Sequence, residues 1–199
     1  MIKTKIKICG IKEIKTLECC IKNRVAFFGL IFFEKSPRYI NLKDAIKLIK
    51  FSQNKDILSV GVFVDKPLDE LNKILKTLKV NYIQLHGKED NNYIKIIKKK
   101  NIINVIKVLQ IKSYNDFENI KDYPNADMFL FDYKPSENEL PGGNAKKFDW
   151  NLIKNLQINK NWFLSGGINI KNINHIKDFT IPYGIDISSG VEDELGNKN

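Results

Sequence analysis

Short runs of β-branched and aromatic residues recur along the chain, alternating with segments of helical apolar pattern. The runs are KIKIC, AFFGLIFF, ILSVGVFV, YIQLH, INVIKVLQ, DMFLFD, WFLSG and YGIDIS, eight in all. Helix-start signals follow several of them: Asn41 with Asp44, Asp65 before Lys66 and Pro67, Ser113 with Asp116, Asp149 before Trp150, and Asn169 before Ile170. No linker or low-complexity stretch interrupts the alternation. Eight strand–helix units at roughly 25 residues each predict an α/β fold, a single compact (β/α)8 TIM barrel over residues 1–199. A doubly wound open sheet is the structural alternative.

Within the first run, period-two alternation puts Lys5, Lys7 and Cys9 on one face and Ile6 and Ile8 on the other. The thiol therefore shares its side with charges, where a thiol kept for packing would more often sit among the isoleucines. Cys9, Glu34, Asp65, His86, Asp132, Ser165 and Ser188 all fall at or just past the C-terminal ends of their runs, the face on which such barrels carry active sites. Cys9 is expected to point inward at the mouth, with Gly10 letting the backbone turn beside a ligand.

Composition changes this picture little. The net charge of +10 invites a nucleic-acid reading, but the positive charge is nearly all lysine, spread over every predicted helix, with arginine only at Arg24 and Arg38. No nucleic-acid partner is expected. The longest apolar run, VAFFGLIFF, is too short to cross a bilayer, and the N-terminus lacks an apolar signal-peptide core, so no membrane association is expected. Cys9, Cys19 and Cys20 are an odd number without metal-ligand spacing, which points to reduced thiols and a cytoplasmic protein, with the neighbours Cys19 and Cys20 buried and inert. Cys9, His86 and Asp132 likewise lack the close spacing of a zinc site, and no metal is expected.

The sharpest local signals are the glycine clusters FLSGGIN and DISSGVE after the seventh and eighth runs. Consecutive glycines before a helical start can present backbone N–H groups to an anion, and two clusters at successive strand ends favour phosphate binding over plain tight turns. Asp132 shares the face of Met128 and Leu130, toward the barrel interior, and reads equally as a general acid or as a cap. Cys9 is a base with Lys7 one step below it, or a packing thiol. Arg38 offers a fork suited to a carboxylate, or is a surface arginine. Gln84 and His86 share a face and reach one cavity, or His86 is a hydrogen-bonded structural residue. His175 lies in a helical segment and is read as a surface or packing residue. Lys7 and Asp186, on strands that neighbour each other in a closed barrel, are expected to pair inside it.

Taken in order, KICGI, FFEKSPRYI, VGVFVD, YIQLHG, FLFD, GG with FDW, LSGGI and DISSGVE resemble the phosphoribosylanthranilate isomerase family over nearly the whole chain. The resemblance implies a (β/α)8 barrel without metal or organic cofactor and a small-molecule phosphoribosyl substrate. The implied activity is aldose–ketose isomerisation, an intramolecular oxidoreduction in tryptophan biosynthesis. It converts N-(5-phosphoribosyl)anthranilate to 1-(2-carboxyphenylamino)-1-deoxyribulose 5-phosphate by an Amadori rearrangement. It implies Asp132 as general acid, Cys9 as base, and Arg38 as holder of the anthranilate carboxylate. The phosphate falls to the backbone around Gly166, Gly167, Ser188, Ser189 and Gly190, and Gln84 and His86 line the cavity. The sister aminoaldose isomerase of histidine biosynthesis usually uses carboxylates for both roles, so Cys9 speaks against it; the alternative from another class is a degenerate barrel or basic binding protein without turnover. Three features depart from the family's pattern. Tyr133 follows Asp132 in place of a small residue, and the sixth loop reads PSENELPGGNAKKFDW in place of GGTGxxFDW. The usual Lys-Asp pair after SSGVE is replaced by Lys198 and Asn199. The sequence ends before the helix expected to cover strands eight and one: either the chain is truncated, or a shifted register, a homodimer partner or another subunit covers that side.

Overall fold

The computed structural model describes residues 4–136, 142, 146–154 and 156–199. All eight apolar runs form strands: β1 (Lys5–Cys9), β2 (Phe27–Ile31), β3 (Leu58–Phe63), β4 (Tyr82–Leu85), β5 (Asn104–Ile111), β6 (Met128–Tyr133), β7 (Trp162–Leu164) and β8 (Gly184–Ile187). Each pairs in parallel with the next, and β8 closes on β1 with Lys5 opposite Gly184 and Lys7 opposite Asp186. Closure removes every sheet edge and makes two cores from one alternation. Inward positions supply Phe27, Val60, Val62, Ile106, Val108, Met128, Leu130 and Phe163; outward positions such as Phe28, Leu30, Ile83, Val105 and Phe131 pack under the helices. Phe27 meets the edge of Phe163 with ring centres 5.2 Å apart, plugging the lower half of the barrel.

The helical layer departs from a regular eightfold pattern. α-Helices follow the first four strands: α1 (Ile14–Lys22), α2 (Leu42–Ser52), α3 (Leu68–Thr77) and α4 (Asn91–Lys100). After the later strands the described segments are 3-10 helices, at Tyr114–Asp122, Trp150–Ile153, Ile173–Asp178 and Ser189–Val191. Those segments are rich in Asn, Asp and β-branched residues, which favour turns and caps over continuous α-helix. Among the described residues no helix is long and apolar enough to cross a membrane.

The cap signals divide. Asn41 accepts from the Asp44 N–H, Ser113 and Asp116 form a reciprocal capping box, and Asp149 accepts from the Asn151 N–H. Asp65 does not cap α3, whose N-cap is Pro67; with φ of 46° its carboxylate turns instead to the Lys88 N–H, 2.6 Å away. Asn169 closes a turn onto the Lys171 N–H, and its 3-10 helix begins only at Ile173. Cys20 is buried but Cys19 is exposed, because only one of two adjacent helical residues can face the barrel. Beyond β8 the chain makes a small antiparallel hairpin, β9 (Glu192–Glu194) and β10 (Asn197–Lys198), turning at Gly196 with φ of 84°.

Candidate active site

Parity carries the interior alternation up to the mouth. Lys7 leads to Cys9 on β1, Gln84 to His86 on β4, Leu130 to Asp132 on β6, Phe163 to Ser165 on β7, and Asp186 to Ser188 on β8. Cys9, Gln84, His86, Asp132, Ser165, Asp186 and Ser188 accordingly line one cavity, which Arg38 reaches from the loop after β2. Glu34 and Asp65, at their own strand ends, are exposed and stand outside it.

Cys9 is buried against Gly29, its register partner on β2, where a Cβ would lie 2.6 Å from the sulfur. Burial pushes the thiol up, and Asp186 adds to that; the charges of Lys7 and Lys198 work the other way. Gly10, at φ of 86°, turns the chain after Cys9, and a Cβ there would sit 3.0 Å from Arg38 Cδ. The glycine of KICGI thus serves both the turn and the close passage of the arginine stem.

Arg38 is a buried residue, 4% exposed, and not a surface arginine. Its Nε and Nη2 donate to the two oxygens of Glu192 at 2.7 and 2.8 Å. Glu192 also accepts from Lys198 Nζ at 2.7 Å and from the Gly196 N–H at 3.2 Å. Burial works against the charge of Glu192, but the bonds from Arg38, Lys198 and Gly196 outweigh it and hold the carboxyl down at about 2. Lys198 further donates to the Ser188 carbonyl at 2.9 Å, while Ser188 Oγ donates to the Cys9 carbonyl at 3.1 Å. The β9–β10 hairpin is therefore a clamp that fixes Arg38 and ties the end of β8 to the end of β1.

Across the cavity, the Asp132 carboxylate accepts from the Tyr133 N–H at 2.8 Å. His86 Nε2 lies 3.4 Å from Asp132 Oδ2, in ion-pair range but without hydrogen-bond geometry, and Gln84 Nε2 stands 3.3 Å from His86 Nδ1. Gly142 covers this group: a Cβ there would meet His86 Cε1 at 2.7 Å and Asp132 Oδ2 at 3.4 Å. Of the sixth loop, residues 137–141 and 143–145 lie outside the described residues, and with them the middle of the departing stretch PSENELPGGNAKKFDW.

The cavity continues into a depression lined by Ser165, Gly166, Gly167, Ser188 and Ser189 together with Tyr133 and Lys146. Gly166 and Gly167 adopt φ of 90° and 62°, and the Gly167 carbonyl is tied back by the side-chain amides of Asn169 and Asn172. Gly190 does not line the depression; a Cβ there would stand 1.9 Å from the Ile168 carbonyl oxygen, so it seats one glycine loop on the other. Both clusters therefore form one cradle at the strand ends, a shape suited to a phosphate.

The sequence pattern did not reveal Glu192, Lys198, Gly29 or Lys146. Glu192 pairs with Arg38, 154 residues away, Lys198 meets Glu192 and Ser188 only through the fold of the hairpin, and an unremarked glycine in FFGLI was the available signal for the third. Among the described residues no group of three or more His, Cys, Asp or Glu side chains is arranged to hold a metal ion. His175 is a surface residue, 3.5 Å from Asp178.

A barrel that sets an acid and a thiol across one cavity, and opens that cavity onto paired glycine loops, falls in the class of phosphate-handling β/α-barrel enzymes. Residues 6–199 match N-(5'-phosphoribosyl)anthranilate (PRA) isomerase, and the chain belongs to that family. It is 41% identical over 199 residues to the N-(5'-phosphoribosyl)anthranilate isomerase of Rhizobium etli, covering 99% of this chain and 89% of that protein. The Brucella abortus enzyme is 39% identical over 196 residues, covering 98% and 88%. Among solved structures, the Thermotoga maritima phosphoribosyl anthranilate isomerase superposes with a TM-score of 0.88 at 30% identity, over 99% of this chain and 93% of that one. A phosphoribosyl anthranilate isomerase in complex with reduced 1-(o-carboxyphenylamino)-1-deoxyribulose 5-phosphate superposes with a TM-score of 0.82 at 28% identity, over 99% and 93%. The chain is thus an isomerase of tryptophan biosynthesis.

Proposed function

We propose that this isomerase works by acid–base catalysis between Asp132 and Cys9. Asp132 gives its proton to the furanose ring oxygen; the C1–O bond breaks as the anthranilate nitrogen lone pair forms the C=N bond of the Schiff base. Cys9, as thiolate, takes the C2 proton, and the electron pair of that C–H bond enters C1–C2 to give the enolamine. Loss of the enol proton and protonation of C1 complete the ketone, so the product is an isomer of the substrate. The observation that carries this reading is the single cavity holding both groups, open at one side to the glycine cradle.

Arg38 holds the anthranilate carboxylate through the Nη1 edge of its fork, the other edge being bound to Glu192. Backbone groups of Gly166, Gly167 and Ser189 receive the phosphate, with Ser188 and Gly190 bracing the loop and Gln84 and His86 shaping the wall. Residues 1–199 act as one barrel domain in the cytoplasm, a compartment supported by the free thiols of Cys9, Cys19 and Cys20. The groove of about 550 Å³ between α1 and the hairpin, lined by Val25, Cys20 and Val191 among others, is where a second copy or partner subunit would cover the barrel.

The test is the loss of anthranilate fluorescence when the protein meets freshly made phosphoribosylanthranilate. Wild type turns over; Cys9→Ser and Asp132→Asn each lose kcat by about 100-fold or more while still binding a product analogue. Full kcat in either variant removes that residue from its role.

A further inference from the structure

Beneath Cys9 the barrel interior holds an ion pair that this scheme leaves without a task. Lys7 and Asp186 face each other across the β1–β8 seam, with Nζ and Oδ1 2.9 Å apart and side chains 0% and 7% exposed. Their surroundings are the apolar plug of Phe27, Val60, Ile106, Met128 and Phe163. A buried pair of this kind is generally no more stabilising than apolar residues of the same volume, so stability alone does not account for it.

Its position does. Lys7 is the inward residue one step below Cys9 on the same strand, and Asp186 is its register partner on β8. The charged groups facing Cys9 are Lys7 from β1, Asp186 from β8 and Lys198 from the hairpin; Arg38, His86 and Asp132 stand around the same cavity. Among the charges, Lys7 counters the burial of the thiol most strongly. Lys7 itself stays protonated: burial pulls its pKa down, but Asp186 and Cys9 together carry it above the ordinary lysine value.

We propose that Lys7 is a positioning residue for the proton transfer at Cys9: Asp186 fixes its ammonium beneath the sulfur, where its charge stabilises the thiolate that accepts the C2 proton. Lys7 keeps its own protons throughout. When the thiolate becomes a thiol, the positive charge of the iminium is neutralised by the C–H electron pair, so the net charge of site and substrate together does not change. The inference rests on Cys9 being the base.

Two variants test it: Lys7→Met, and the double Lys7→Met with Asp186→Leu, which leaves no buried charge unpaired and keeps the barrel foldable. Iodoacetamide alkylation of Cys9, followed on its own peptide so that Cys19 and Cys20 are separated, is measured against pH beside the kcat/KM profile. In Lys7→Met alkylation near pH 8 slows by about fivefold or more and the ascending limb of kcat/KM moves up by about one pH unit; in the double variant, where Asp186 no longer pushes the thiol up, both changes keep their direction at about half that size. Lys7→Arg, which restores the charge, brings the limb back toward wild type. A folded double variant whose alkylation or ascending limb matches the wild type overturns the proposal. A Cys9→Ser enzyme with full kcat would instead remove the base on which it rests, whatever Lys7 does.

Discussion

The sulfur of Cys9 occupies the space that a side chain at Gly29 would fill: a Cβ on Gly29 would lie 2.6 Å from Cys9 Sγ and 3.1 Å from its Cα. Real Cβ atoms do not approach sulfur that closely, so Gly29→Ala must push Cys9 away from β2 and toward the middle of the cavity. Misplacing a reacting group by about 1 Å costs on the order of 100-fold in rate. The expected result is a kcat lower by about 10- to 100-fold with a smaller change in KM. Steady-state kinetics beside a thermal melt separates this from unfolding, since the variant retains a cooperative transition.

Glu192 and Lys198 make a prediction of the opposite kinetic kind. Both hold Arg38 and the Ser188 strand end, but Lys198 also lends its charge to Cys9, so it is the loss of Glu192 alone that loosens the clamp on Arg38 and leaves the proposed proton transfers in place. A hydrogen bond to a charged group is worth about 1.5–3 kcal/mol, and part of that appears as lost substrate affinity. Glu192→Gln is expected to raise KM by about tenfold with kcat within about threefold of wild type. A drop in kcat with unchanged KM would show that the clamp serves chemistry instead.

The same carboxyl sets an acid limit. Its folded pKa is about 2 against an ordinary 4.5, so the unfolded chain binds its proton first as pH falls. The stability it contributes is fully present above about 4.5 and is lost as pH drops through that value toward 2. Asp116 of the capping box, also held at about 2, adds loss in the same window. Denaturant midpoints are expected to be flat from neutral pH to about 5 and to fall below it; Glu192→Gln flattens part of that fall.

Much of this architecture is legible locally. Each strand announces itself as a run of Val, Ile, Phe or Tyr, and period-two parity alone carries Cys9 and Asp132 to the inside of the mouth. The Lys7–Asp186 pair follows as soon as closure makes β1 and β8 neighbours. What parity cannot give is the partner of a residue whose position depends on how loops return. Arg38 and Glu192 are 154 residues apart and meet only because the chain beyond β8 folds back as a hairpin beside the β2 loop. Asp65 has a fitting sequence position for a cap, yet the neighbouring strand loop offers its carboxylate a better donor in Lys88 N–H. The 3-10 segments after β5, β6 and β7 differ from α-helix by propensity differences of under about 1 kcal/mol per residue, which packing against the barrel readily overrides.

The loop that carries His86 rests on a further buried ion pair, and its removal separates anchoring from charge. Lys107, on the outward face of β5, reaches Glu89 Oε2 at 3.0 Å and the Gly87 carbonyl at 2.7 Å, with both charged side chains 2% exposed. Glu89 also accepts from the N–H groups of Asp65 at 2.8 Å and Gly87 at 3.0 Å, so one carboxylate joins the loops after β3 and β4. Glu89→Gln leaves the Lys107 ammonium buried without a counter-charge, and such broken pairs cost about 3–5 kcal/mol. Lys107→Met combined with Glu89→Leu removes both charges and is expected to recover most of that loss in chemical denaturation. The double variant still lacks an acceptor for the Asp65 and Gly87 N–H groups, so the loop remains less well held than in the wild type. Its stability is therefore expected to return further than its kcat/KM, because His86 and the wall beside Asp132 stand at the end of that loop. Full recovery of both would show that the carboxylate serves only as the partner of Lys107.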